Sequence, residues 1–200
     1  MQVLLAVVTN DSCSLGFAVS MLRLQVALAT APDVQVTIEL VSSLAEAVEL
    51  ANTHTKFDAL VAIRSTIGFP AAFVMRGLVT GPFVAGVYPL PRLDWDRVVA
   101  KKDDASEDMR FKGNVYNIDP AAAKRVAAQL AGYMSAPSAE LGAVVLHREA
   151  LRALADKPLG TDDDVCRAWG KDVLVDLDAQ CSNFGPVEFT GCVGLRTVLR

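Results

Sequence analysis

Apolar and polar residues alternate along the first ninety positions in two distinct rhythms. Val3 to Val8 is an unbroken apolar run that stops at Thr9-Asn10-Asp11-Ser12, which is turn chemistry, and it reads as a buried strand. From Ser14 to Ala31, Leu15, Ala18, Met21, Leu22 and Leu28 recur as the buried face of a helix that Pro32-Asp33 ends. Val34, Val36, Ile38 and Leu40 then alternate with Gln35, Thr37 and Glu39, the period of a strand with one wet face. Behind the cap candidate Ser43, Leu44, Ala47, Val48 and Ala51 return to helical spacing, and Ala59 to Ile63 is another buried strand. Pro70 opens a helix to about Val79, and Gly81-Pro82 precedes a strand from Phe83 to Val87. This order predicts an α/β fold whose mostly parallel central sheet has helices on both faces.

From Tyr88 to Ile118 the rhythm is lost. Lys101-Lys102-Asp103-Asp104 and Ser106-Glu107-Asp108 give a mixed-charge texture, expected to form an irregular lid anchored by Trp95 near the ligand-binding edge. Asp119-Pro120 caps a predicted helix to about Tyr133, Leu141 to His147 reads as a strand, and Arg148 to Ala155 as a short helix. Thr161 or Asp162 caps a helix ending near Trp169-Gly170, and Val173 to Asp176 is a last strand. With no repeat and no linker, residues 1–200 read as a single domain.

Composition narrows the function classes. Of 200 residues, 52% are apolar and 21% charged, as in a globular chain with a sizeable core. A net charge of −4 lacks the basic footprint of a nucleic-acid-binding protein. The apolar start has no basic region before it, and Arg23, Asp33 and Glu39 interrupt the richest apolar stretch. The expectation is therefore a soluble, intracellular, cytoplasmic protein with no membrane span. Cysteines at 13, 166, 181 and 192 form no C-x-x-C pair, and there are two histidines, His54 and His147; this argues against a structural zinc site and for reduced thiols. No Gly-x-Gly-x-x-Gly, no phosphate-loop Gly-Lys-Ser/Thr and no hydrolase triad signature occurs.

In an open α/β sheet ligands gather where strands end, which singles out Thr9, Asn10 and Asp11, then Arg64, Ser65 and Thr66, then Tyr88, and Asn183. Each has two readings. Thr9 and Asn10 hydrogen-bond a nucleobase edge or form an Asx-type turn. Arg64 is a solvated strand-end residue or a fork of donors for phosphate oxygens. Asp162 is a helix N-cap or a general base, and these roles are compatible. Asp94 and Asp96 are a solvated turn over Trp95 or approach a metal.

Six segments stand in one order across nearly the whole chain: Ile67-Gly68-Phe69-Pro70, Gly86-Val87-Tyr88-Pro89, Arg92-Leu93-Asp94-Trp95-Asp96, the strand and helix from Leu141 to Leu151, Asp162 to Trp169, and Asn183-Phe184-Gly185-Pro186. Together they resemble the small A-type-fold (GT-A) glycosyltransferases of phages and large DNA viruses. The resemblance implies a nucleotide-sugar donor and transfer of the sugar to an acceptor hydroxyl, with Asp162 as base and Asp94, Trp95 and Asn183 at the substrate.

The chain departs from that family where the family does its chemistry. At the Asp-x-Asp position, whose carboxylates hold a divalent cation on the donor diphosphate, stands Arg64-Ser65-Thr66; Asn183 replaces a metal-ligand histidine, and Thr161 the first acid of a Glu-Asp pair. The expectation is donor binding without a metal, with Arg64 stabilising the leaving diphosphate, because a cation there would face a like charge worth about 4 kcal/mol at 4 Å and a dielectric of 20. Two alternatives stand beside it: a catalytically inactive relative acting as a binding or structural partner, as a homo-oligomer or paired with an active homologue, and an unrelated nucleotide-binding α/β enzyme.

Overall fold

In the computed structural model the described residues are 1–9, 12–103, 113–119, 121–126, 130, 132–179 and 181–183. The chain begins with β1 (Gln2–Val8), α1 (Leu15–Ala29), β2 (Gln35–Val41), α2 (Leu44–Thr53), β3 (Ala59–Arg64), β4 (Ile67–Gly68), α3 (Ala71–Thr80) and β5 (Phe83–Gly86). It continues with β6 (Pro89–Leu93), α4 (Trp95–Ala100), β7 (Asn114–Tyr116), β8 (Lys124–Arg125), β9 (Tyr133–Ala136) and β10 (Ala143–His147). Last come α5 (Arg148–Leu154), α6 (Asp162–Trp169), β11 (Val173–Asp176) and β12 (Ser182–Asn183).

Among the described residues the main sheet has eight strands in the order β2-β1-β3-β10-β5-β11-β9-β8. The sheet is mixed. Strands β2, β1, β3, β5, β11 and β8 share one direction, while β10 and β9 run against it. Its central strands are covered on both faces, which is why their sequences are continuous apolar runs. Val3, Leu5 and Val7 of β1 join Phe17 and Leu24 of α1 and Phe73, Val74 and Leu78 of α3 on one face. Leu4 and Ala6 join Ala47, Val48 and Ala51 of α2, Leu151 of α5 and Trp169 of α6 on the other.

The structure departs from the sequence pattern in four places. The inner face of α1 is Phe17, Ser20 and Leu24, whereas Leu15 and Leu22 point to solvent. The helix is apolar around nearly its whole circumference, so periodicity could not choose a face. Strand β2 is an edge strand on which Ile38 and Leu40 are exposed. The helix expected from Asp119 is absent among the described residues: Asp119 Oδ1 accepts from the Ala121 N–H, but the turn leads into β8, which pairs with β9, so sheet pairing overrides the propensity of an Ala-rich run. Between 88 and 118, β6 and β7 pair antiparallel and α4 is capped by Asp94, whose Oδ1 accepts from the Arg97 N–H. Trp95 is the first residue of α4 and is half-buried, not the deep anchor its size suggested.

Candidate functional site

A cleft of about 780 Å³ opens at the carboxyl ends of β1, β2 and β3. One wall is Ser42 to Ala45 at the start of α2, the second is Arg64-Ser65-Thr66, and the third is Leu159 to Asp163 at the start of α6. Glu140 and Leu141 complete it, because β10 runs antiparallel and presents its N-terminal flank to the edge where its neighbours end.

Arg64, at the end of β3, donates from Nη2 to Oδ2 of Asp162 at 2.7 Å, with the arginine side chain 42% and the aspartate 18% exposed. The same Oδ2 accepts from the Leu141 N–H at 2.8 Å, and among the described residues Oδ1 makes no hydrogen bond. The cap of α6 is Thr161: its Oγ1 accepts from the Asp164 N–H while the Asp164 carboxylate accepts from the Thr161 N–H. The Thr161 hydroxyl also donates to Asp164 Oδ2 at 2.9 Å, and this bond foremost, with that from the Thr161 N–H, holds the Asp164 carboxyl below its ordinary range. Asp162 is therefore the first helical residue and not the cap, which leaves its carboxylate to face Arg64. The other expected partner of the cleft, Ser65, is buried and structural: its Oγ donates to the Ser12 carbonyl at 2.6 Å, tying the end of β3 to the loop after β1. Thr66 lines the cleft beside it.

Tyr88 lies beneath the cleft, not in it. Buried to 2% exposure, its hydroxyl donates to the Glu140 carbonyl at 3.2 Å and accepts from the Gly142 N–H at 3.0 Å. Burial pushes its phenol well above the ordinary value. A Cβ on Gly142 would come within 2.6 Å of that hydroxyl, so the residue there must be glycine. Asn117 completes the support: its Oδ1 accepts from the Tyr88 N–H, and its Nδ2 donates to the carbonyls of Gly86 and Glu140.

A second cleft of about 470 Å³ lies between β6, β7 and the segment before β10, lined by Arg92, Asp94, Arg97 and Asn114 among others. It meets the first at Glu140 and Asp163, which border both. Neither acid was singled out by the sequence reading. Looking after strand ends misses Glu140, since an antiparallel strand brings its beginning to that edge. Thr9 Oγ1 donates to the Ser12 carbonyl at 3.0 Å and Thr9 is not among the cleft's lining residues, which is the turn reading. Asn10 and Asp11 lie outside the described residues, and Asn183 is placed by its backbone alone, paired with Ile67 one residue past Thr66. Cys192 also lies outside them; Cys13, Cys166 and Cys181 are free, and burial raises the thiols of Cys166 and Cys181, the latter to about 12. Among the described residues no group of three or more His, Cys, Asp or Glu side chains is placed to hold a metal ion. No described helix is long and apolar enough to cross a membrane.

No family model matches the sequence, and no curated protein matches it by sequence. By structure the chain is similar to the protein "A197 from STIV", at a TM-score of 0.51 and 12% identity over 95% of this chain and 98% of that one. Weaker likenesses are to "GalNAc-T7 with UDP, GalNAc and Mn2+" (TM-score 0.47, 10% identity, 91% of this chain, 42% of that chain) and to "the inositol-1-phosphate CTP transferase from T. maritima" (0.44, 9%, 95% and 91%). At these identities the likeness is one of fold: a single α/β domain whose large mixed sheet is flanked by helices.

Proposed function

We propose that the protein is an A-type-fold glycosyltransferase relative that holds a nucleotide-sugar in the larger cleft and transfers the sugar to an acceptor hydroxyl, without a metal at 64–66. The observation that carries this reading is the Arg64–Asp162 pair, which brings the residue in the Asp-x-Asp position and the candidate base, 98 residues apart in sequence, into one cleft. The N-terminal end of α2 borders the same space and favours anions. Arg64 has donors beyond the one given to Asp162 and would receive the diphosphate, while Asp162, fixed by the Leu141 N–H, would take the acceptor proton. The new bond forms between acceptor oxygen and anomeric carbon as the bond to the diphosphate breaks, and the nucleoside diphosphate leaves with the electron pair.

A second reading, an inactive relative that serves as a binding partner, is favoured by the charge of the rim. Arg64 is the cation among the lining residues, Asp162 neutralises it, and Glu140 and Asp163 add two further acids. Titration calorimetry with nucleoside diphosphates, with and without manganese, separates the two. The enzyme reading expects measurable binding, manganese-independent, weakened about tenfold or more in Arg64→Ala, and slow hydrolysis of the matching sugar donor. Absence of binding across the panel favours the partner reading.

A further inference from the structure

Helix α1 has a second apolar face that the described residues do not cover. Leu15, Val19, Leu22 and Val26 are 81%, 36%, 63% and 70% exposed. At 100° per residue they fall within one narrow stripe, directly opposite the inward Phe17, Ser20 and Leu24. Their spacing of four, three and four residues is that of a helix-pairing seam, not of a solvated surface.

We infer that this stripe pairs antiparallel with the same helix of a second copy, making the protein a two-fold dimer through α1. The stripe is symmetric about the point midway between Ser20 and Met21. A two-fold axis there sets Leu15 against the partner's Val26 and Val19 against the partner's Leu22, so every layer matches a larger side chain with a smaller one. Such an isologous contact needs a self-complementary patch, and this one is. The only charge on α1 is Arg23, off the stripe, so no like charges meet at the seam. The four side chains expose on the order of 400 Å² a copy, and with their flanks the pair reaches the roughly 1,000 Å² at which specific interfaces begin. A lipid surface is the poorer occupant, since the helix lacks the basic face of an interfacial anchor.

Sedimentation velocity on the full chain tests this. The expected result is a monomer–dimer equilibrium in the micromolar range that Leu22→Glu and, independently, Val26→Lys shift to monomer by tenfold or more, with unchanged circular dichroism and melting, because both positions face solvent in the free chain. In a Cys13→Ser background, Val19→Cys should oxidise to a covalent dimer, its two copies being about 4–5 Å apart along the axis; Leu15→Cys, about 16 Å apart, should not. A monomer at 100 µM would overturn the proposal, as would dimers indifferent to both charge variants. Efficient cross-linking through Leu15→Cys would overturn the antiparallel arrangement, and binding to anionic vesicles that Leu22→Glu abolishes would assign the face to lipid instead.

Discussion

Two arginine–aspartate pairs of equal length, 2.7 Å, sit at the carboxyl ends of β3 and β11, with β10 and β5 between them, and are held in different ways. Asp176, at the end of β11, is fully buried; Arg76 binds its Oδ2 through both Nε and Nη2, and its Oδ1 accepts from the Asp178 N–H. Every acceptor there has a use. Among the described residues one oxygen of Asp162 has no partner, and Arg64 is nearly half exposed, so their pair is cheap to open. Distance alone therefore does not separate a pair locked into the fold from one that opens cheaply; burial and the satisfaction of the second carboxylate oxygen do.

The sharpest way to break this contrast is Arg76→Ala. It strands a buried carboxylate, and unfolding in urea should show a loss of roughly 2–4 kcal/mol, discounted for the partly exposed arginine. Tyr88→Phe should come next, at about 1–2 kcal/mol, since the buried Gly142 N–H loses its acceptor, while the Glu140 carbonyl keeps the Asn117 amide. Replacing the α6 cap with Thr161→Ala should cost about 1 kcal/mol, a melting temperature lower by about 2–4 °C. Arg64→Ala should change stability by less than about 1 kcal/mol while weakening nucleoside diphosphate binding. If it instead destabilises as much as Arg76→Ala, the contrast fails.

The smallest effect is on pH. The Asp164 carboxyl is depressed in the folded state, so its contribution is present above the unfolded value and is lost as pH falls through the lower folded one. The stability gap between wild type and Thr161→Ala should therefore be full at neutral pH and narrow below about pH 4. A gap that widens in acid would show that Thr161 does not act through Asp164.

The central strands were readable because burial on both faces leaves unbroken apolar runs, as in Val3 to Val8 and Ala59 to Ile63. The edges were not. Lys124 and Arg125 carry no strand signal of their own and become β8 only because Ser135 and Met134 offer a ladder. At the site, Arg64 and Asp162 were each visible as residue types after a strand and before a helix. Their pairing was not, since it depends on Thr161 taking the cap and on β10 setting α6 beside β3. Glu140, Asp163 and Asn117 came from topology alone.

That same strand has a consequence for how the molecule is made. β3 and β5 run in one direction, yet they never touch: β10 slots between them and bonds to both. It arrives from position 143, long after Gly86 closes β5. A growing chain thus carries open apolar edges at Ala59–Arg64 and Phe83–Gly86 until β10, one of the two central strands, is inserted late. Refolding should be slow and concentration-sensitive, because intermolecular pairing of those edges competes with the insertion of residues 143–147.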